Sequence, residues 1–230
     1  MTTILFWDID GTLLNCLGAG RLALEKAVCE LMEIECDFST ISMAGMTDWG
    51  ITSNILESLG LTPSPVQIHQ LLERYHQHLP NSLAETPGFV LEGVAEILDG
   101  LHTEENVMSF LLTGNSEVGA RAKLAHYGLD KFFQSGAFSE QSADRNNIAR
   151  TALKLAETQL GIIDLEKCYV IGDTPHDIRC GQAIGAKTIA IASPHYSVEQ
   201  LKSYNCSLAW EYFPEPPLFM QHIGLGKDEK

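Results

Sequence analysis

The 230-residue sequence predicts an α/β fold: a doubly wound (Rossmann-like) parallel sheet core with an inserted helical cap domain. Three observations carry this reading. Short apolar runs that end in polar, turn-forming clusters occur at Thr3–Ile9, Val107–Leu112 and Cys168–Ile171. From residue 87 onward such runs alternate with helical periodicity, the pattern of parallel strands joined by right-handed crossovers. Between the first two runs lies a long block with helical spacing and no strand pattern. The expected division is 1–15 and 87–230 for the core and 16–86 for the cap.

The elements follow in order. Thr3–Ile9 is largely apolar and β-prone, ends in a turn signal and reads as a buried strand. Leu24, Ala27, Val28 and Leu31 mark a first cap helix, and Ile51, Ile55 and Leu59 a second. Ile68, Leu71, Leu72, Tyr75 and Leu79 mark a third, just after Pro63 and Pro65. Thr86-Pro87-Gly88 is a breaker cluster that closes the block. A helix through Val90, Val94, Ile97 and Leu101 leads to the Val107–Leu112 strand, and a helix over 116–127 follows. A third strand is expected around Phe132-Phe133 and Ala137-Phe138, then a helix through Ala149, Ala152, Leu153, Ala156 and Leu160. Cys168–Ile171 is the fourth strand, Lys187–Ala192 the fifth, and Leu208–Trp210 a sixth. The tail from Glu211 contains Pro214, Pro216 and Pro217 and is expected to be irregular, with Phe213, Leu218 and Phe219 packing on the core.

Composition narrows the function. Asp and Glu number 30 against 15 Lys and Arg, a formal charge of -15. Nucleic-acid binding needs a basic surface to displace counterions, and no run of Lys or Arg supplies one. The six cysteines (16, 29, 36, 168, 180 and 206) form no Cys-x-x-Cys pair, so zinc-ribbon and thioredoxin chemistry is not indicated and reduced thiols are expected. The first apolar run is too short for a signal-peptide core, and no stretch reaches the length of a membrane span. A cytoplasmic protein that binds neither nucleic acid nor membrane is expected.

In open parallel sheets, ligands bind beyond the carboxyl ends of the strands. Here those ends read Asp8-Ile9-Asp10-Gly11-Thr12, Thr113-Gly114-Asn115 and Gly172-Asp173-Thr174-Pro175-His176-Asp177. One rim would then collect Asp8, Asp10, Asp173 and Asp177. Two carboxylates about 5 Å apart repel by roughly 3 kcal/mol at an effective dielectric near 20. A divalent cation or protonation must relieve this, and an oxygen-only ligand set favours magnesium. An acidic magnesium site beside hydroxyl and backbone N–H donors suits a phosphate.

These three motifs, in this order, resemble the signature of the haloacid dehalogenase-like hydrolase superfamily across residues 4 to about 195. The helical insert is similar to the cap of phosphoglycolate-phosphatase-like members. The resemblance implies a magnesium-dependent phosphatase that hydrolyses a small phosphorylated metabolite through an aspartyl-phosphate. Asp8 would be the nucleophile and Asp10 the acid and base. Mg2+ would bind the Asp8 carboxylate, the Asp10 carbonyl and Asp173, with Asp177 helping directly or through water. Thr113, Gly114 and Asn115 would hold phosphate oxygens, as would backbone amides near Ile9 and Asp10. The usual lysine before the last motif has no clear match. Arg145, in Asp144-Arg145-Asn146, is the expected substitute, able to contact phosphate in a bidentate way. Lys154, well inside the same helix, is the rival.

Other features read more plainly. Gly18-Ala19-Gly20 lacks the third glycine of a dinucleotide fingerprint and is expected to be a hinge and helix start. His69, His76 and His78 have no acidic or Cys partner at ligand spacing and read as a solvated helix face. Thr47-Asp48-Trp49 reads equally as a helix N-cap or as a loop facing substrate, and Arg21 is a weaker candidate of the second kind. Alternatives to the phosphatase are a phosphomutase of the same superfamily and a catalytically weak phosphate-binding regulatory protein. Either a monomer or a homodimer fits.

Overall fold

The computed structural model describes residues 2–140 and 143–225. β1 (Thr3–Trp7) is followed by a two-residue strand β2 (Leu14–Asn15) and the helices α1 (Ala19–Met32), α2 (Asp48–Ser58) and α3 (Pro65–Glu85). A second two-residue strand, β3 (Phe89–Val90), ends this block. The chain then alternates through α4 (Val94–His102), β4 (Val107–Leu112), α5 (Glu117–His126), β5 (Gly136–Ala137), α6 (Arg145–Leu160) and β6 (Cys168–Gly172). It continues through α7 (Pro175–Ile184), β7 (Lys187–Ile191), α8 (Val198–Lys202), β8 (Leu208–Trp210) and α9 (Pro216–His222).

Six strands form one sheet in the order β5-β4-β1-β6-β7-β8, and every pairing in it is parallel. From β1 the chain builds outward through β4 and β5, then returns to lay β6 on the other side of β1. The direction of winding therefore reverses beside β1, and there the strand ends splay to leave a crevice. Side chains alternate along β1 as the pleat requires. Leu5, Trp7 and Ile9 join the cluster that includes Val94, Ile97, Leu98 and Phe219. Ile4 and Phe6 face Ile148, Ala149, Ala152 and Ile184 of α6 and α7. Both faces of the sheet are thus covered, which is why β1 is apolar throughout rather than alternating.

The three helices of the insert pack through their predicted stripes. Leu24, Ala27, Ile55, Leu71, Tyr75 and Leu79 are all buried. Helix α3 starts where its chemistry dictates: Ser64 and Gln67 form a capping box, with Pro65 in the first turn.

Several expectations need correcting. The first strand ends at Trp7, which frees Asp8 and Ile9 to begin the loop. The third strand covers only Gly136–Ala137, and Asp130–Phe132 is a 3-10 turn that tucks Phe133 into the core. The β2–β3 ribbon was not expected. It pairs Leu14 with Val90 and Asn15 with Phe89, tying together the entry to and exit from the insert. The tail is not irregular up to residue 225, because Pro216–His222 is helical. Pro216 opens that helix at the one place where a missing N–H is harmless. Phe219 stacks on Trp7 with ring centroids 5.7 Å apart, and Phe213 lies 6.2 Å from the same ring. Leu218, expected to pack, is 44% exposed. Residues 226–230 of the tail lie outside the described residues. Among the described residues no helix is long and apolar enough to cross a membrane.

Candidate active site

The loops that follow β1, β4 and β6 meet at one cavity of about 360 Å³, which Asp8, Asp10, Thr113, Asn115, Arg145 and Asp173 help to line. Asp8 follows the central strand and is anchored by its own N–H, which donates to Ile171 O at 2.9 Å. Its carboxylate accepts a hydrogen bond from the Ile9 N–H. Asp173 sits at the matching position after β6, and Asp177 lies in the first turn of α7. Carboxylate oxygens of Asp8, Asp173 and Asp177 lie within 4.8 Å of one another, and all three residues are buried.

This crowding has measurable electrostatic consequences. Burial pushes the Asp8 carboxyl up to about 7 against the pull of Arg145, and the charges of Asp177 and Asp10 push the same way. Burial, then Asp177 and Asp8, raise Asp173 well above the ordinary carboxylate range. Asp173 Oδ1 is buried without a hydrogen-bond partner. An orphaned buried carboxylate oxygen is expensive unless something supplies positive charge. The donor set is all oxygen, the chemistry of a hard cation.

Arg145 is the first residue of α6, and the Asp144 side chain caps that helix by accepting from Asn146 N at 2.9 Å. The Arg145 guanidinium is buried against both acids, 3.3 Å from Asp8 Oδ1 and 2.5 Å from Asp177 Oδ1. Burial opposes its charge, but Asp177 and Asp8 outweigh burial and keep it protonated. Lys154, the rival, is exposed on the same helix. The remaining Asp177 oxygen accepts from Thr174 N at 3.0 Å and from Thr174 Oγ1 at 2.7 Å. Both Asp177 oxygens are therefore engaged by protein groups, and this residue chiefly orients Arg145 and the start of α7.

The Thr113 loop departs in part from expectation. Asn115 N–H points to Thr113 Oγ1 at 3.3 Å rather than to the cavity. Asn115 Nδ2 donates to the same hydroxyl at 2.8 Å. With both lone pairs of Thr113 occupied, its own O–H is left to donate. Asp10 Oδ2 accepts from Lys123 Nζ at 2.6 Å and from Asn115 Nδ2 at 2.8 Å. Burial alone would raise this carboxyl, but the Lys123 charge, with hydrogen bonds from Lys123 and Asn115, wins and holds it below the ordinary range.

Sequence reasoning missed Lys123. The available signal was its place on the apolar stripe of α5, beside Ala120 and Leu124, where a lysine needs a partner. It also missed how the insert meets the core. Thr47 does cap α2, one of the two expected roles, accepting from Gly50 N at 3.0 Å. Asp48 N donates to Gly114 O at 2.7 Å. Asp48 Oδ2 accepts from Ser116 N at 2.8 Å and from Ser116 Oγ at 2.9 Å. His76 is not solvated as expected, since its Nε2 lies 2.7 Å from Ser116 Oγ. His78 pairs with Glu30 at 2.7 Å, and His69 is exposed beside Trp49. Arg145 Nη1 also donates to Gly45 O at 3.2 Å, so the 45–48 segment touches both the loop after β4 and the start of α6.

Two glycines follow from this closeness. A Cβ on Gly114 would strike the Met46 carbonyl, and one on Gly11 would strike the Asp173 carboxylate. Gly11 also has φ +81°, a left-handed conformation that disfavours other residues. Gly11→Ala is expected to cost at least about 1–2 kcal/mol from backbone conformation alone, and to displace Asp173. Urea unfolding measures the first effect and a magnesium-induced rise in Tm the second. Wild-type values for both would contradict the described packing.

The structure thus joins a six-stranded parallel sheet to three buried carboxylates gathered at its switch point. The chain belongs to the haloacid dehalogenase-like hydrolases, whose family model matches residues 5–182. No curated protein matches it in sequence. Among solved structures, it is similar to CbbY from Rhodobacter sphaeroides in complex with phosphate: TM-score 0.74, 15% identity, 92% of this chain and 95% of that one. It is also similar to a hydrolase from Pseudomonas syringae: TM-score 0.70, 20% identity, 97% of this chain and 98% of that one. A third is a predicted phosphoglycolate phosphatase from Haemophilus somnus 129pt: TM-score 0.72, 12% identity, 96% of this chain and 98% of that one.

Proposed function

We propose that the protein is a magnesium-dependent phosphatase that hydrolyses a small-molecule phosphate monoester through an aspartyl-phosphate on Asp8. The observation that carries this reading is the pairing of Asp8 with Arg145, 3.3 Å apart, beside the unpartnered Asp173 oxygen. A nucleophile, a fixed cation and a carboxylate awaiting positive charge are what in-line phosphoryl transfer requires. The phosphate complex of CbbY supports the same substrate chemistry.

Asp8, Asp173 and the Asp10 carbonyl would hold Mg2+, with Asp177 in support. When bound, the ion offsets the charge of carboxylates and phosphate so that an anion can approach an anion. The chain's own groups do the rest. Asp8 attacks phosphorus. Arg145 balances charge on the phosphoryl group, and the Thr113 hydroxyl and the N–H groups of Asp10 and Gly114 hold its oxygens. Asp10, held toward its ionised form by Lys123 and Asn115, takes a proton from the attacking water and, in its protonated form, delivers one to the leaving oxygen. Residues 16–86 act as a cap over the rim, which excludes water and bulky esters. We further propose a cytoplasmic protein whose six cysteines, all free, stay reduced.

An aryl phosphate ester such as p-nitrophenyl phosphate should be hydrolysed in magnesium and not after chelation. An inert wild type across a broad panel of phosphate esters would sink the reading. The metal also has a signature in stability. Asp8 ionises near 7 in the folded protein against 3.8 for the ordinary group. The stabilisation from its neutral form is complete below about pH 4 and is lost as pH rises through about 7. Magnesium binds the ionised form, so its effect on Tm should be larger at about pH 8 than at about pH 5. An equal or reversed effect contradicts the acidic site.

A further inference from the structure

The hydrolytic reading leaves one buried charge without a task. Lys123 projects from α5 with its side chain only 6% exposed. Its Nζ lies 2.6 Å from Asp10 Oδ2 and 2.6 Å from Asn115 Oδ1. The Asn115 amide reaches Asp10 and Thr113 in turn, at 2.8 Å each. One ammonium thus ties together the proposed acid, an amide and, through that amide, a phosphate-facing hydroxyl. Taking a lysine ammonium out of water is costly, and only close partners such as Asp10 and Asn115 offset it. The neighbours of Lys123 on its helix face, Ala120 and Leu124, are fully buried and apolar, so a leucine or methionine would suit the packing. Both N–H donors reach the same Asp10 oxygen, yet the Asp10 side chain stays 44% exposed on the cavity. The arrangement fixes the carboxyl without covering it.

We propose that Lys123 is a positioning residue for the hydrolysis, clamping Asp10 and Asn115 so that the Asp10 carboxyl faces the ester oxygen that departs. This rests on the phosphatase reading. In that step the bond from phosphorus to the ester oxygen breaks as a bond from phosphorus to Asp8 forms. The Asp10 proton passes to the departing oxygen, releasing an alcohol. A carboxylate is left on Asp10, between two donors already aimed at it, so no group must reorient as charge appears. Lys123 acts only through Asp10 and Asn115.

Leaving-group dependence separates this role from simple support of the fold. Two esters are compared with wild-type and Lys123→Met protein: phenyl phosphate, whose phenolate needs a proton, and 2,4-dinitrophenyl phosphate, whose phenolate needs none. kcat/KM reports the step in which Asp8 is phosphorylated. Lys123→Met should lower kcat/KM for phenyl phosphate by about 10²-fold, the scale of a well-placed general acid, and change the dinitrophenyl ester far less. The ratio between esters is independent of how much of the variant folds. Lys123→Gln, which keeps a donor, provides a second variant if Lys123→Met yields no soluble protein, and should show the same bias. Equal losses on both esters, or no loss on either, would overturn the proposal. If wild type hydrolyses neither these esters nor any of a broad panel of phosphate esters, or Asp8→Asn leaves both rates unchanged, the phosphatase reading itself fails and the role of Lys123 falls with it.

Discussion

Replacing Asp8 by asparagine is expected to lower phosphate-ester turnover by at least about 10⁴-fold, roughly 5 kcal/mol of transition-state stabilisation. The amide keeps the shape of the side chain but cannot attack phosphorus, and no other carboxylate stands at the end of the central strand. The same substitution carries an opposite expectation for the metal-free fold. Burial holds the Asp8 carboxyl near 7, so at about pH 8 the folded protein confines an anion it would sooner neutralise. Asparagine removes that charge, and Arg145 keeps Asp177 as a partner. Tm in the absence of metal should therefore rise at about pH 8 while activity disappears. Retained turnover would remove Asp8 as nucleophile, and a lowered Tm would contradict the buried-charge account.

Arg145→Ala is expected to be the most destabilising single change in the site, by about 3–5 kcal/mol at neutral pH. The guanidinium is buried between Asp8 and Asp177 and donates to the Gly45 carbonyl. Its removal strands two carboxylates and one carbonyl. Protonation of Asp8 can relieve part of this, so the loss should shrink toward about pH 5 and grow as pH rises. Urea unfolding at both pH values measures it. A pH-independent loss below about 1 kcal/mol would mean that the ion pairs contribute little. Arg145→Lys should fall between, because a single ammonium cannot serve Asp8, Asp177 and Gly45 with the geometry of a planar fork.

Much of this molecule was legible because its signals are local. Apolar runs closed by Gly-Thr, Gly-Asn and Gly-Asp turns mark β1, β4 and β6, and their carboxyl ends collect Asp8, Thr113 and Asp173. Pro63 and Pro65 announce the start of α3. What escaped is pairwise. Lys123 could be seen to lie on a buried stripe, but periodicity names a face and not the partner across it. Asp48 and Ser116 are neighbours only because a helix of the insert settles against the α5 N-terminus, and neither residue carries a local trace of that meeting. The tail misled for a different reason. Three prolines suggest irregular chain, yet Pro216 at a first turn favours a helix, and the outcome turned on Phe219 finding Trp7.

The placement of β1 governs when activity can arise during synthesis. Thr3 pairs with Val107, and Ile4 pairs with both Met108 and Cys168. The strand made first is therefore completed by the strand made fourth among the six of the main sheet. These contacts are distant in sequence, so loop closure slows their formation. A nascent chain that has not yet released β6 carries Asp8 but lacks Asp173 and Asp177. The acidic cluster thus stays incomplete through most of translation, and Asp8 gains its companions only as the sheet closes around it.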